Sequence, residues 1–184
     1  MVFIECDAHE IPGSKSKVNN GQAELCAHVC KLLCTPAAAE ALGGNDNSGK
    51  AEARGVEEQS IAVLTPYARQ VEVLKKLLAG LASDVEVSSI DSFQGREAEI
   101  AVFVSVRCNE LQDIGFLNDL RRMNVALTRA RAGLIVIGNR ATLTQGTADA
   151  EATAMWARLL DGLVPVPMQA NVEVQKQERR QRLP

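Results

Sequence analysis

Apolar positions along this chain fall into two periods, one suited to helices and one to fully covered strands. Residues 1–6 read as a short strand. Residues 21–34 place Ala23, Cys26, Ala27, Cys30, Leu33 and Cys34 at helical spacing. Ile61-Ala62-Val63-Leu64 is an unbroken apolar run, as expected of a parallel strand buried on both faces. Thr65-Pro66 then signals a helix start, and the helix it opens buries Val71, Leu74, Leu78 and Leu81. Two further strands are predicted at Val85–Ile90 and Ile100–Val106, then a helix over Leu120–Arg131 and a strand at Ala132–Gly138. Ala148–Leu163 reads as an edge helix carrying Trp156. Strands that alternate with helices in this way predict an α/β fold, a parallel sheet with helices on both faces and right-handed crossovers. Ligand sites in such sheets lie at the carboxyl ends of strands, where Thr65, Asp91–Glu97 and Arg107–Asn109 are expected.

Between the periodic segments, Thr35–Glu58 is rich in Ala, Gly, Asn and Ser and reads as a flexible insertion. It contains Gly44-Asn45-Asp46-Asn47-Ser48-Gly49-Lys50, which has the outline of a phosphate-binding loop. Ala51, however, stands where a Ser or Thr hydroxyl must hold magnesium, and no apolar strand leads into the loop. A working phosphate loop is therefore not expected here. Past Pro167 the chain turns to Gln, Glu and Arg, so residues 1–167 form the expected domain and 168–184 a charged tail. Its Arg179-Arg180-Gln181-Arg182 cluster reads first as a solvated face and second as an accessory nucleic-acid contact.

The 184 residues suffice for one substantial core. A net charge of −3 excludes binding driven by an overall basic field, so any nucleic-acid contact must come from local groups. The odd count of five cysteines argues for reduced thiols. Cys26, Cys30 and Cys34 would line one helix face as small buried groups, and His28, which would have to complete a metal site, points elsewhere. No metal site is expected. With no apolar run of transmembrane length and no signal-like start, a cytoplasmic or nuclear location is expected.

Two segments carry chemistry. On a helix over 120–131, Leu120, Met123, Leu127 and Ala130 form an apolar stripe while Arg122 and Arg129 share the opposite side. A solvated helix face would show the same charges. The other segment is Ser89-Ile90-Asp91-Ser92-Phe93-Gln94-Gly95-Arg96-Glu97, and Arg129 of Ala126-Leu127-Thr128-Arg129-Ala130 follows 32 positions after Glu97. Together these segments resemble motifs V and VI of superfamily 1 helicases. The wording Phe93-Gln94-Gly95-Arg96-Glu97 and Ile114-Gly115-Phe116-Leu117-Asn118-Asp119 is similar to the nonsense-mediated-decay helicase and its relatives. The likeness covers roughly Glu57–Leu163, with a fainter echo at Asn19 and Glu24.

The resemblance implies the second of two RecA-like lobes, without its own Walker A loop, and hence a fragment or a separately encoded lobe. ATP with Mg²⁺ would be held mainly by an absent first lobe, in the same or another chain. By resemblance, Arg129 is the arginine finger that stabilises charge on the γ-phosphate. Glu97 faces the nucleotide, or otherwise pairs with Arg96; Gly95 permits the turn, and Gln94 reports nucleotide state. Thr65, Tyr67 and Ser89 are candidates to contact single-stranded RNA or DNA; phosphate contacts suit a motor that must accept any sequence. Their plainer readings are a helix cap, a half-buried aromatic and a strand residue. Arg107 and Asn109 match the family too, either as substrate contacts or as braces between lobes. The implied activity is an ATP-dependent helicase of 5′-to-3′ polarity, RNA favoured over DNA, with the isolated chain inactive. The alternative is a RecA-like nucleic-acid or protein-binding module without turnover.

Overall fold

A computed structural model describes residues 1–12, 16–35, 60–80, 85–146 and 148–166. Six parallel strands make one sheet: β1 (Val2–Glu5), β2 (Ile61–Thr65), β3 (Val85–Ser89), β4 (Ala98–Val104), β5 (Ala130–Gly138) and β6 (Val164–Val166). Their spatial order is β3-β2-β4-β5-β1-β6, and every pairing is parallel. This is an α/β RecA-like sheet.

Strand side chains alternate between two cores. Ala62 and Leu64 of β2, Ala101 and Phe103 of β4, and Leu134 and Val136 of β5 pack on one face. Ile61, Val63, Val102, Val104 and Ile137 pack on the other. Because both faces are covered, the strands read as continuous apolar runs and not as alternating ones. Helices α1 (Asn20–Leu33) and α2 (Ala68–Leu78) cover the second face. Helices α3 (Leu120–Leu127), α4 (Arg140–Gln145) and α5 (Ala150–Asp161) cover the first. Four of the five are capped alike. Asn19, Asp119, Asn139 and Asp149 accept from the backbone N–H of Gln22, Arg122, Thr142 and Ala152, satisfying a donor that the first helical turn otherwise leaves open.

The structure revises several boundaries. The stretch from Ala148 does form a helix, but Trp156 is completely buried against Phe103, ring centroids 5.9 Å apart, so α5 is a core helix. Beyond it, β6 completes the sheet edge, where Pro165 is tolerated because an edge strand need not donate on its open side. The short α4 lacks enough length to show periodicity; its sign in the sequence is the Asn139 cap. Cys26 and Cys30 are buried as expected, whereas Cys34 is exposed at the helix end. The insertion with its Gly44–Lys50 loop, Leu81 and the tail from Pro167 lie outside the described residues. No described helix is long and apolar enough to cross a membrane.

The largest correction concerns the helix over Leu120–Arg131. It ends at Leu127, and Ala130 already belongs to β5. Thr128 terminates it: its N–H and Oγ1 both bond to the Asn124 carbonyl, at 3.1 and 2.7 Å. The Arg129 carbonyl then accepts from Ala98 N–H at 3.0 Å, which starts the β4–β5 ladder. Sheet pairing overrides a helical pattern whose last positions, Ala130 onward, suit a strand equally well.

Candidate functional site

The connection after β2 runs through α2 on one face of the sheet, while that after β4 runs through α3 on the other. The carboxyl ends of β2 and β4 therefore flank a topological switch point, the place where open α/β sheets form a crevice. Thr65 ends β2 and Tyr67 follows it, and Ser105, Val106 and Arg107 follow β4.

A buried polar network closes the floor of this crevice. Asn19 N–H donates to Gln70 Oε1 at 2.9 Å and the Asn19 carbonyl accepts from Gln70 Nε2 at 3.0 Å. The Asn19 amide donates to the carbonyls of Ala8, at 2.6 Å, and Val106, at 3.0 Å. Gln22 Oε1 accepts from Val106 N–H at 2.7 Å. Val106 has φ 70°, a conformation costly to a β-branched residue, and the two α1 side chains clamp its backbone on both sides. Thr65 Oγ1 and Gln22 Nε2 are buried here without a hydrogen-bond partner among the described residues.

Arg107 forms the next layer. Only 6% exposed, its side chain pairs through Nε with Glu10 at 2.9 Å and through Nη2 with Asp113 at 2.7 Å. Partial burial opposes ionisation of Asp113, yet the Gly115 N–H and the Arg107 guanidinium hold its carboxyl below the usual carboxylate range. The Tyr67 phenol lies against Arg107; burial pushes it above its ordinary range, with the neighbouring cation opposing. Asn109 joins the same layer, donating to Glu10 Oε2 at 3.2 Å and to the Asp113 carbonyl at 2.9 Å. Arg107 and Asn109 are thus occupied within the chain as braces for the loop after β4.

Of the sequence candidates at this pole, Thr65 and Tyr67 are buried. Any strand contact by their hydroxyls requires the Pro66–Tyr67 turn to open. Thr65 is the last residue of β2 and not a helix cap; Tyr67 occupies the α2 cap position without a side-chain capping bond. Ser89 is half-buried, and its hydroxyl donates to Ser92 Oγ at 2.8 Å and accepts from Ser92 N–H at 3.2 Å, which starts the helical turn Asp91–Phe93.

Not all of Asp91–Glu97 stands at the carboxyl ends, as the sequence reading has it. The stretch leaves β3 at its carboxyl end and must enter parallel β4 at its amino end, so it spans the sheet. Ile90 and Phe93 are buried against the sheet on the way, while Gln94, Gly95 and Glu97 are exposed. Gly95 has φ 80°, the left-handed conformation that glycine accepts without strain. Arg96 pairs with Glu86, near the amino end of β3, and stacks over Phe93 at 4.9 Å. The pairing of Glu97 with Arg96 does not form. Glu97 instead accepts from Arg131 Nε at 2.9 Å, and Arg131 also reaches Glu99 at 3.7 Å.

At this amino pole Glu97 and Arg129 immediately precede β4 and β5, neighbours joined by the Ala98–Arg129 hydrogen bond. Arg129 does not share a helix face with Arg122. It folds back on the end of α3, with Nε donating to the Val125 carbonyl at 2.8 Å and Nη2 to Thr128 Oγ1 at 3.0 Å. A helix carboxyl end favours a cation through its dipole. Arg122 pairs with Asp91. Among the described residues no group of three His, Cys, Asp or Glu is arranged to hold a metal.

Two partnerships escaped sequence reasoning. Arg131, read as the last residue of a helix, lies in β5 beside the start of β4, and only that strand register brings it to Glu97. Glu10 lies in a segment without periodicity, and its link to Arg107 spans the fold.

Comparison with known proteins adds a family to this geometry. A family model described as "AAA domain" matches residues 1–141. The Regulator of nonsense transcripts 1 homolog of Drosophila melanogaster is 43% identical over 98 residues, 50% of this chain and 8% of that protein. The DNA polymerase alpha-associated DNA helicase A of Schizosaccharomyces pombe is 46% identical over 96 residues, 52% of this chain and 14% of its own length. The ATP-dependent helicase NAM7 of Saccharomyces cerevisiae is 42% identical over 113 residues, 58% of this chain and 11% of its own length. The matched segment thus spans only about a tenth of these relatives.

Proposed function

The chain belongs to the AAA-domain family and is related to the superfamily 1 helicases that include the nonsense-mediated-decay enzyme, and from this premise we propose that it is the C-terminal lobe of an ATP-dependent nucleic-acid helicase. The observation that carries the reading is the placement of Glu97 and Arg129 side by side at the amino ends of β4 and β5, away from the crevice of Thr65, Tyr67 and Ser89. One pole faces ATP held by a first lobe, and the other faces the single strand.

At the nucleotide pole Arg129 acts as the arginine finger. Engagement exchanges its two intrachain bonds, to a carbonyl and a hydroxyl, for bonds to phosphate oxygens, which are roughly twice as strong because both partners are charged. The planar fork then stabilises charge developing on the γ-phosphoryl group. Glu97, Gly95 and Gln94 form the exposed turn beside it and face the ribose and polyphosphate. Closing the cleft pits nucleotide groups against Arg131 for the Glu97 carboxylate, so the Glu97–Arg131 pair senses closure. A magnesium ion on the nucleotide would neutralise phosphate charge and would be held by ATP and the first lobe.

At the other pole, half-buried Ser89 forms part of the track for single-stranded RNA or DNA, RNA favoured, and buried Thr65 and Tyr67 support it from beneath. The segments joining the poles are 90–97 and 115–129, so strand occupancy at one pole can bias the nucleotide groups at the other. The test joins this chain to a first lobe with a Walker A loop and compares phosphate release with and without single-stranded RNA. Strand-stimulated turnover that depends on Arg129 supports the reading; turnover indifferent to Arg129 contradicts it.

A further inference from the structure

We infer that Phe116 is a stacking platform for one base of the bound single strand. The inference rests on the strand track proposed above and adds to it a site of defined chemistry, the flat face of a nucleobase.

Phe116 is a large apolar side chain left 48% exposed, and it is exposed at the switch-point crevice. Its ring lies 5.4 Å from that of Tyr67, tilted by 35°. Single exposed apolar residues are common on protein surfaces. This one differs in how firmly it is mounted. Tyr67 beneath it is 2% exposed and backed by Arg107, itself fixed by two carboxylates. Gly115 has φ 51° and donates its N–H to Asp113 Oδ1 at 2.8 Å; a Cβ there would meet Arg107 Nη1 at 2.5 Å. On the other side Leu117 is fully buried and its carbonyl accepts from Trp156 Nε1 at 3.1 Å. Both neighbours of Phe116 are therefore pinned, and the ring is presented by a rigid pedestal instead of a mobile loop tip. Such mounting removes the ordering cost of binding.

The surroundings favour a base over a protein surface. The residues that flank Phe116 in sequence and are exposed, Asp113, Asn118, Asp119 and Arg121, are polar or charged, and the other exposed apolar residue of this stretch is Leu111. The local carboxylates would repel phosphate but not a neutral base. Stacking is also indifferent to base identity, as a motor on arbitrary sequence requires.

The test compares the 184-residue chain with Phe116→Ala and Phe116→Trp for binding to a single-stranded oligonucleotide and to its abasic counterpart of equal phosphate count. Phe116→Ala is expected to weaken binding to the normal oligonucleotide roughly 5- to 150-fold, the range that one base–aromatic stack supplies, and to leave abasic binding unchanged. Phe116→Trp should retain affinity, with its indole fluorescence quenched by the normal oligonucleotide and not by the abasic one. Equal binding by the parent and Phe116→Ala would overturn the platform while leaving the strand track standing. Equal losses on both oligonucleotides would mean a structural role and overturn it too. A parent chain that binds neither would count against the platform and the track together.

Discussion

Arg122 Nε donates to Asp91 Oδ1 at 3.0 Å and its Nη2 to Oδ2, a two-point ion pair between residues 31 apart in sequence. The pair ties the segment that carries Glu97 to the helix that leads to Arg129. Its energy is small because both side chains are substantially exposed, 40% and 62%, and surface pairs contribute about 0–1 kcal/mol. Its geometry matters more, since it fixes the relative position of the two connections between poles.

A double-mutant cycle of Asp91→Ala and Arg122→Ala, read by chemical denaturation, should therefore give a coupling of at most about 1 kcal/mol. In a joined two-lobe protein the same single changes should reduce RNA stimulation of ATP turnover more than unstimulated turnover. A proportional loss of both would show that the pair only supports the fold.

Asn19→Ala should cost far more. The ordinary loss of a helix cap is about 1 kcal/mol, but this side chain also satisfies the Ala8 and Val106 carbonyls in the interior. Each buried polar group left unpaired adds about 1–3 kcal/mol, so the expected loss exceeds about 2 kcal/mol in an equilibrium urea titration. A loss of only 1 kcal/mol or less would mean that the network at Val106 is not a brace.

How much of this was legible beforehand depended on the range of the interaction responsible. The central strands announced themselves because a sheet covered on both faces needs continuous apolar runs, and Ile61–Leu64 is one, whereas the short edge strand β6 did not. The nucleotide and strand candidates were legible only through their resemblance to helicase motifs. The end of α3 was not, because Leu127 and Ala130 fit a helical stripe and only the pairing of Ala98 with Arg129 decides against it. For the same reason the plainer alternative for Glu97, a pairing with its neighbour Arg96, gives way to Arg131, which the strand register brings beside it. Phe116 stood in plain view within Gly115-Phe116-Leu117, yet its exposure depends on Tyr67 and Trp156, which are distant in sequence.

Thiol reactivity checks the placement of α1 and of the loop after β4. Burial raises the Cys6 thiol and pushes Cys108 up to about 11. Cys26 is driven up mainly by its hydrogen bond with Cys30, and burial adds to the effect. All four of these cysteines are buried, while Cys34 is exposed. At pH 8 an aromatic disulfide reagent should label Cys34 rapidly and the others only after denaturation, because the thiolate is the reactive form. Rapid labelling of Cys108 in the native chain would contradict the packing described around Glu10 and Asn109.

If the proposed two-lobe reading holds, the isolated chain should release no phosphate from ATP above background, with or without single-stranded RNA, because that reading assigns the nucleotide-holding groups to the first lobe. Turnover approaching about 10 per second, the middle of the enzyme range, would reinstate an independent nucleotide site. In the joined protein Arg129→Lys should recover little activity, since one ammonium cannot reproduce the guanidinium fork. A lysine variant with near-normal turnover would reduce Arg129 to a structural residue.

The central claim is that Arg129 acts on ATP held by another lobe, and steady-state ATP turnover of the joined protein with Arg129→Ala tests it most directly. Turnover should fall by roughly 10³-fold or more, the contribution of an arginine finger, while affinity for single-stranded RNA, measured on the same preparation, stays within a few-fold of the parent. Near-parental turnover, or a fall matched by equal loss of RNA affinity and of thermal stability, would contradict the account.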